Sequence, residues 1–466
     1  MLYIELDPEK ILYKQIYEQL AEHIRQQHLA EGSKLPGIRS LADELGVGVN
    51  TVNQAYQQLL LEGYIDAKER SGYYVKPIDN LLILPRAEEV LPEEKDEDYK
   101  YNFSISGVDA AHFPYEDWRR VFRRTISEEA EILAHTPPKG LYELREEIAR
   151  YLGSARGIDV DPQRIIISTG ISQLIAQVEN ILPEESVFAF ENPGYMVGKT
   201  SYLHASSKYL SVNHLHYDAK SRQVIYSVDV EALPEAVSVL HLTPSHQFPF
   251  GALMPVDARI EILNWAAKAA DRYIIEDDYD FEFQYRSSKV PSLKSLDSSD
   301  RVIYMSGFSK SISPALRISF MILPQELLER YETHYSNECP VSGFVQRALC
   351  EFIRNGSFER HVNRMRTLYA GKHEVLLRLL AELGFEVFNY QSGTSLVIRV
   401  EEPVTEAKLQ ALRQAGIAIN SVADFCQKGS REEAAMRNYV IIGFAGASKE
   451  ELREGLELFA EIIRAE

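Results

Sequence analysis

The chain has 466 residues, of which 45% are hydrophobic and 26% are charged, and its formal net charge is −19. This length exceeds one ordinary hydrophobic core, so we expect two or three domains. No apolar run approaches the ~20 residues of a membrane span, and the opening MLYIELDPEK lacks the apolar core of a secretory signal. Three scattered cysteines, Cys339, Cys350 and Cys426, match neither a disulfide framework nor a zinc motif, which predicts a reducing, cytoplasmic compartment.

The N-terminal segment has the pattern of a winged helix-turn-helix. Apolar residues at every fourth position predict a helix over 11–27, and two further helices are predicted over 38–45 and 49–61. Two short strands, 63–66 and 71–75, follow with a tight turn between them. Modules with this order lay the third helix in the major groove of DNA and the strand pair beside its backbone.

Residues 12–75, centred on LPGIRSLADELGVGVNTVNQAYQQLLLEGYI, resemble the GntR family of bacterial regulators. The resemblance implies that Arg39 grips the DNA backbone, that Thr51 belongs to the recognition helix, and that Gly72 is the glycine of the wing. The sequence departs from the family at Gly48-Val49, where Ser-Arg is usual, and at Gly37, where a helix-capping serine is usual.

We therefore predict a DNA-binding surface on this module. Bases are read by Asn50, Thr51 and Asn53, and the predicted phosphate contacts are Lys34, Arg39, Lys68 and Arg70. Each phosphate contact releases counterions, so losing an arginine weakens binding at any DNA sequence. Residues 1–78 hold 8 Lys/Arg against 11 Asp/Glu, which leaves a protein-binding winged helix as the alternative. Dimerisation would present two copies, and two weak half-site contacts multiply.

A linker and a large α/β region follow. Residues 77–100 carry three prolines and an acidic run, as exposed linkers do. Helical patterns then alternate with short apolar runs, which predicts a mostly parallel sheet wrapped by helices; the runs are 164–168, 187–190, 237–242, 273–276 and 302–305. From about residue 355, long helices and shorter strands (394–400 and 439–444) predict a small α+β lobe. The predicted fold class is α/β, with domains 1–76 and 101–466.

The sequence SGFSKSISPALRISF, at 306–320, places Lys310 in a loop of small residues after a predicted strand. A lysine that forms an imine with an aldehyde must lose its proton, which burial favours. Arg317 follows at a distance from which it can pair with a phosphate. In isolation, a lysine in a serine-rich loop is usually a solvated surface residue. A second anion site is predicted by IIISTGISQL at 165–174, where a strand, a turn and a helix point backbone amides at a ligand.

Two aromatic and acidic motifs fit a pyridine ring. YIIEDDYD, at 273–280, ends a strand with two carboxylates, Asp277 and Asp278, and a tyrosine, Tyr279. Such a carboxylate keeps a pyridine nitrogen protonated, and the tyrosine can donate to a phenolic oxygen. In ENPGYMVG, Tyr195 follows another strand and can lie flat on a ring. All these motifs lie at the carboxyl ends of predicted strands. Open α/β sheets bind their ligands at that edge.

Residues 100–464 resemble fold type I aminotransferases, and their fusion to a GntR-like head resembles the MocR/GabR group of regulators. The resemblance implies a homodimer whose cofactor is pyridoxal 5′-phosphate, held by Lys310 as a Schiff base (aldimine). Asp277 would face the pyridine nitrogen. The other implied cofactor contacts are Tyr195 and Tyr279 at the ring, and Ile171, Ser172, Ser309 and Arg317 at the phosphate.

The sequence departs from the aminotransferase pattern beside the ring. In TPSHQFPFG, at 243–251, Phe248 stands where enzymes have an asparagine that supports the ring oxygen. We expect His246 or Gln247 to serve instead. His135 stands in place of a tyrosine that reaches the partner subunit's phosphate.

The sequence also departs from the aminotransferase pattern at the arginine that binds the substrate. The arginine that holds a substrate carboxylate usually lies just before the last Gly-Phe, but YVIIGFAG, at 439–446, has isoleucines there. Arg437 is the nearest candidate for an effector carboxylate, and Arg431 is another. The cofactor motifs are thus present, whereas the arginine for the substrate carboxylate is not at its usual position. This combination favours a ligand sensor over an enzyme, because ligand binding alone can shift a conformational equilibrium.

The sequence thus predicts a cytoplasmic transcription regulator that binds operator DNA. Its second domain is expected to bind a small amine, amino acid or dipeptide, or to sense pyridoxal phosphate itself, and to signal through the linker. One alternative is an active aminotransferase with a fused DNA-binding head. Another is a protein-binding adaptor whose two domains are degenerate.

Overall fold

The chain forms two units, Met1–Asp96 and Glu97–Glu466. The computed structural model describes residues 4–7, 10–26, 28–68, 71–77, 99–127, 135–195, 208–212, 215–218, 223–285, 290–336, 339–388 and 391–465. Most of the predicted linker (77–100) and the predicted phosphate contact Arg70 lie outside these residues.

The first unit is a winged helix-turn-helix. Three helices, α1 (Leu12–Arg25), α2 (Ile38–Leu45) and α3 (Val49–Leu61), precede an antiparallel strand pair, β1 (Ile65–Lys68) and β2 (Gly72–Val75). Its core takes one face from each helix and one side chain from each strand. The buried core side chains include Ile16, Leu20, Ile24, Leu41, Val52, Ala55, Tyr56, Leu59, Ile65 and Val75.

The second unit is α/β. Its helices are α4 (Tyr115–Ser127), α5 (Tyr142–Arg156), α6 (Ile171–Ile181), α7 (Val256–Ala267), α8 (Leu293–Leu296), α9 (Gln325–His334), α10 (Gly343–Arg354), α11 (Ser357–Glu382), α12 (Glu406–Gln414), α13 (Arg431–Ala435) and α14 (Lys449–Arg464). Its strands are β3 (Tyr101–Asn102), β4 (Ile165–Ser168), β5 (Val187–Glu191), β6 (Lys208–Val212), β7 (Leu215–Asp218), β8 (Gln223–Tyr226), β9 (Val237–Leu242), β10 (Tyr273–Asp277), β11 (Val302–Gly307), β12 (Ser319–Ile322), β13 (Glu386–Phe388), β14 (Ser395–Arg399), β15 (Ile417–Ala418), β16 (Asn420–Ser421) and β17 (Tyr439–Gly443).

A seven-stranded sheet, in the order β4-β12-β11-β10-β9-β5-β6, forms the centre of this unit. The pairs β11–β10, β10–β9, β9–β5 and β5–β6 are parallel, whereas β12 runs antiparallel to β11 and β4. Strands β4, β5, β9, β10 and β12 are buried along their whole length, because apolar clusters cover both faces of the sheet. The predicted mostly parallel α/β sheet is confirmed.

The small lobe begins with the 26-residue helix α11. An antiparallel sheet in the order β13-β14-β17-β16 packs with α11, α12 and α14 around a separate apolar cluster. The first strand after the predicted linker, β3, pairs with β15 of this lobe. In the described part of the chain, no helix is both long and apolar enough to cross a membrane.

Candidate cofactor site and nucleic-acid interface

The pairing of strands brings the predicted cofactor motifs to one edge of the large sheet. Gly307, where β11 ends, pairs with Ser319, and Ser319 pairs with Ser168 at the end of β4. Asp277, the last residue of β10, pairs with Met305 of β11. The loops that follow β4, β10 and β11 therefore leave the sheet side by side, as ligand-binding loops do in open α/β folds.

Lys310 lies in the loop after β11, and its Nζ donates a hydrogen bond to the backbone carbonyl of Ile105. Burial lowers the pKa of Lys310 from its usual value, although the negative charge of Asp280 opposes this effect. A lysine with a lowered pKa has a larger neutral fraction, and only the neutral amine attacks a carbonyl carbon. Ser309, the preceding residue, is half-buried.

Three of the predicted phosphate contacts, Ile171, Ser172 and Arg317, lie at the N-terminus of α6. Helix α6 begins at Ile171, and Gly170 before it has φ +129°. A Cβ atom on Gly170 would lie 3.0 Å from a guanidinium nitrogen of Arg317, so this arginine reaches the helix terminus next to Ile171 and Ser172. Free amides, a positive helix end and a guanidinium together form an anion cradle.

Asp277 and Asp278 have different surroundings. Asp278 forms a buried ion pair with Arg156 at 2.8 Å and accepts a hydrogen bond from the Tyr304 hydroxyl at 2.8 Å. Asp277 is 3% exposed, and its Oδ1 has no hydrogen-bond partner among the described residues. Asp278 is thus paired with other protein groups, whereas Asp277 has an oxygen that can accept a hydrogen bond from a ligand. This difference supports the expectation that Asp277, not Asp278, faces a pyridine nitrogen.

Burial raises the pKa of Asp277 well above its usual value, and the neighbouring Asp278, Glu191 and Asp280 add to the effect. The Oδ2 atom of Asp277 is 3.8 Å from Nε2 of His241, too far for a hydrogen bond. Burial also lowers the pKa of His241 to about 3, so this imidazole is neutral at physiological pH. A protonated ring nitrogen would give the Asp277 carboxylate a positively charged partner, which would favour its ionised form.

The two side chains expected to replace the ring-side asparagine, Gln247 and His246, both have contacts within the protein. Gln247 is fully buried, and its amide nitrogen donates to the carbonyl of Pro193 at 3.1 Å. His246 lies beside Asp280 and Tyr279, with Nδ1 2.8 Å from Asp280 Oδ2 and 3.0 Å from the Tyr279 hydroxyl. The direct ring contact of either residue remains a prediction.

Three aromatic rings surround Phe248 on this side. Tyr195, Tyr279 and Phe425 meet its ring edge-on, with centroid distances of 5.7, 6.3 and 4.8 Å. Tyr195 and Tyr279 are thereby brought to the same apolar wall, as the motif order predicts. The phenylalanine at the usual asparagine position supplies packing instead of a hydrogen bond.

The two candidate arginines for an effector carboxylate lie in short helical elements before β17, and their role in binding an effector remains a prediction. Arg437 is exposed in a short turn before β17, where its carbonyl accepts from the Val404 amide at 2.9 Å. Arg431 is exposed at the start of α13. His135 is exposed as well.

In the first unit, α3 presents the predicted base-reading residues. Asn50 is exposed and Thr51 and Asn53 are half-buried, while Val52 and Ala55 on the opposite side of the helix are buried in the core. Arg39, near the start of α2, is exposed. The two departures from the family pattern leave Gly37 and Gly48 as helix caps that provide no side-chain hydrogen bond.

The wing gathers two of the predicted phosphate contacts around one tyrosine. The ammonium groups of Lys68 and Lys34 lie 4.5 and 5.9 Å from the centre of the Tyr74 ring. Gly72 has φ +110°, and a Cβ atom there would be 3.2 Å from Lys34 Cε. A glycine is thus needed for the turn and for the close approach of Lys34.

These side chains fit pyridoxal 5′-phosphate. The orphaned buried oxygen of Asp277 suits a protonated pyridine nitrogen, the cradle at Gly170 and Arg317 suits a phosphate, and Lys310 suits an aldehyde. Together with the winged helix, the site defines a class of protein: a helix-turn-helix module joined to a transferase-like domain whose site fits this cofactor.

Comparisons with known proteins agree. Residues 12–75 match the bacterial regulatory proteins of the gntR family, and residues 100–459 match aminotransferase class I and II. The uncharacterized HTH-type transcriptional regulator YhdI of Bacillus subtilis is 33% identical, with 96% of this chain and 94% of that protein covered. The probable rhizopine catabolism regulatory protein MocR of Rhizobium meliloti is 29% identical, with 98% and 94% covered. The chain belongs to the MocR-type transcriptional regulators, which combine a GntR helix-turn-helix domain with an aminotransferase class I and II domain.

Solved structures show the same fold in the second unit. An archaeal alanine:glyoxylate aminotransferase is 22% identical with a TM-score of 0.69, covering 78% of this chain and 90% of that chain. A Thermus thermophilus aspartate aminotransferase mutant is 20% identical with a TM-score of 0.65, covering 78% and 92%. At these identities, the likeness concerns the fold alone.

Sequence reasoning missed several residues of the site. Asp280, the partner of His246, is in the YIIEDDYD motif but carries no signal that separates it from its neighbours. Buried Glu191 is the last residue of β5 and the first of the ENPGYMVG motif, and burial raises its pKa to about 7. The sequence shows Tyr74 as one of two adjacent tyrosines in the wing, but nothing in it indicates that Lys34 and Lys68 lie over the Tyr74 ring. Each of these roles depends on a partner distant in the chain.

Proposed function

We propose that this regulator binds operator DNA through α3 and the wing, and that a small amine, amino acid or dipeptide, or the cofactor itself, acts as its effector at the Lys310 site. The observation that carries the proposal is a pair of groups at the ends of neighbouring strands: the buried Asp277 Oδ1, which has no hydrogen-bond partner among the described residues, and Lys310, whose pKa is lowered by burial. The proposal includes a homodimer, which presents two winged helices to a repeated operator, and a cytoplasmic location beside the chromosome.

The roles of the residues follow from their surroundings. When bound, pyridoxal phosphate supplies an aldehyde that exchanges amines and a ring that accepts electrons. Lys310 provides the amine, and Asp277 holds a proton at the ring nitrogen. Ile171, Ser172, Ser309 and Arg317 bind the phosphate. Tyr195 covers the ring, and Tyr279 donates to its oxygen. The apolar wall around Phe248 excludes water from one side of the ligand.

DNA recognition divides between base and phosphate contacts. Asn50, Thr51 and Asn53 lie on the outward face of α3, from which side chains reach base edges in the major groove. The phosphate contacts are Lys34, Arg39, Lys68 and Arg70, with Gly72 shaping the wing. Since the chain carries a net charge of −19, these few cations must act locally, and binding is expected to be steeply salt-dependent.

The first experiment uses the cofactor-loaded full chain. We expect a visible absorption band that Lys310→Ala abolishes and that Lys268→Ala, a change at an exposed lysine, leaves intact. Amines, amino acids and dipeptides are then screened for a spectral change. A ligand that changes the spectrum should change operator affinity, measured by fluorescence anisotropy at fixed salt. A spectral ligand without any effect on operator affinity would contradict the sensing role.

A second candidate function is transamination. The presence of Lys310, Asp277 and Tyr279 in one site favours it. Incubation with an amino donor and a 2-oxo acid distinguishes the two functions: an enzyme forms product over many turnovers, whereas a sensor gives at most one product per site. Mass spectrometry of the reaction mixture measures this ratio.

A further inference from the structure

Three side chains, Asp280, His246 and Tyr279, form a continuous series of contacts beside the cofactor site. Nδ1 of His246 lies 2.8 Å from Asp280 Oδ2, and the Tyr279 hydroxyl lies 3.0 Å from the same nitrogen. The hydroxyl also donates to the backbone carbonyl of His246 at 3.1 Å. Asp280 is 3% exposed and His246 is 6% exposed. A buried carboxylate that accepts from Nδ1–H fixes both the tautomer and the orientation of an imidazole.

The other edge of the imidazole faces the small lobe. Nε2 of His246 is buried and has no hydrogen-bond partner in the described part of the chain. Gly393 lies directly against it, since a Cβ atom there would be 2.0 Å from His246 Cε1 and 2.7 Å from Nε2. Gly393 is itself fixed, because its amide donates to Phe283 and its carbonyl accepts from the Tyr285 hydroxyl, both at 2.8 Å.

We propose that His246 is a positioning residue: Asp280 and Gly393 hold the imidazole from its two edges, and the Nδ1–H, shared between Asp280 Oδ2 and the Tyr279 hydroxyl oxygen, holds that hydroxyl beside the cofactor. When the cofactor binds, the single hydroxyl proton turns from the His246 carbonyl to the ring oxygen. This inference rests on the proposed function, because it requires the cofactor to bind at Lys310. The sequence predicts a direct contact between His246 and the cofactor ring. The proposal gives His246 an indirect role instead, through its contacts with Asp280 and Tyr279. It also gives Gly393 a role that no sequence motif indicated.

The proposal predicts the protonation behaviour of the bound cofactor. A hydroxyl that donates to an anionic ring oxygen favours the less protonated form of the chromophore. If the hydroxyl is displaced, that form becomes less stable and the pH midpoint of the visible absorption rises. The charged groups that act on Tyr279 are Asp280, Asp277, Glu191 and Asp278, and all of them are retained in the variants below.

The experiment is a pH titration of the visible absorption of the cofactor-loaded full chain. His246→Leu removes the ring nitrogens, and we expect its midpoint to rise by about one unit, the effect of one hydrogen bond. His246→Asn keeps an amide donor near the Nδ1 position and should restore the wild-type midpoint. Gly393→Ala keeps His246 but forces the imidazole to move, so it should reproduce the rise.

Gly429→Ala is the matched control for Gly393→Ala. Gly429 also lies in the small lobe and has φ +74°, but nothing is within 4 Å of a Cβ atom there. The control therefore carries the same backbone strain without displacing a neighbour. Thermal melts of every variant show that each is folded, and the Gly393 and asparagine variants test the geometry even if the leucine variant does not fold.

The outcomes separate this inference from the proposed function. Wild-type midpoints in both His246→Leu and Gly393→Ala, with the cofactor still bound to Lys310, would overturn the positioning role and leave the proposed function standing. An equal shift in Gly429→Ala would overturn it too, since strain alone would then explain the change. No visible band in the wild-type protein would overturn both.

Discussion

Asp277→Asn is expected to change cofactor affinity and protein stability in opposite directions. In the cofactor-free protein, burial and the neighbouring carboxylates raise the pKa of Asp277 well above its usual value. A buried acid with a raised pKa contributes its stability below its ordinary pKa, and this contribution is lost as the pH rises through the folded-state value. The asparagine variant does not ionise. At alkaline pH it should therefore be more stable than the wild-type protein.

The cofactor reverses this order. A protonated ring nitrogen gives Asp277 the charged partner that it lacks, and a hydrogen bond between charged groups contributes about 1.5–3 kcal/mol. Asp277→Asn loses that amount, so the Kd for pyridoxal phosphate should rise about 10- to 150-fold. We expect no protein hydrogen bond to offset the loss, because Asp277 Oδ1 has no partner among the described residues and His241 Nε2 lies 3.8 Å from Oδ2.

The assay combines cofactor titration with thermal unfolding in the presence and absence of cofactor. Asp278→Asn is the comparison, because it leaves the buried guanidinium of Arg156 unpaired and should cost about 3–5 kcal/mol in both states. Unchanged cofactor affinity in Asp277→Asn would refute the assignment of Asp277 to the ring nitrogen. Destabilisation of the cofactor-free Asp277 variant at alkaline pH would refute the account of its burial.

Three further predictions concern the buried acid, the anion cradle and the DNA interface. Burial raises the pKa of Glu191 from 4.5 to about 7, so its ionisation should cost about 3 kcal/mol of folding stability. The free energy of unfolding of Glu191→Gln should therefore rise by this amount relative to wild type between roughly pH 4 and pH 9, as measured by denaturant unfolding. Gly170→Ala should weaken cofactor binding by steric contact with Arg317, whereas Gly157→Ala, at another positive φ with nothing within 4 Å, should leave the Kd for the cofactor unchanged. Arg39→Ala should weaken operator binding and reduce the slope of log K against log salt by about 0.9; an unchanged slope in anisotropy titrations would contradict a phosphate contact.

Much of the fold was predictable because its signals are local. Apolar β-branched runs located five of the seven strands of the large sheet to within two residues, but not β6 and β12. The fourfold spacing of apolar residues located α1. The site motifs were predictable for a related reason. In a mostly parallel sheet, strand ends meet at one edge, so a motif's position after its strand places it in the site. This rule places Lys310 and the Asp277-Asp278 pair at the site, and the choice of Asp277 followed from the resemblance to aminotransferases.

The contacts that distinguish these residues came only from the tertiary structure. Asp277 and Asp278 are adjacent and chemically identical, yet Arg156 pairs with one of them and leaves the other free. His246 and Asp280 are 34 residues apart, and Lys310 and Ile105 are 205 apart. Sequence periodicity sets which face of an element a side chain occupies, but register and loop packing set which distant group it meets. That is why the sequence identified the lysine and the carboxylate, while the structure decided how the groups around them are held.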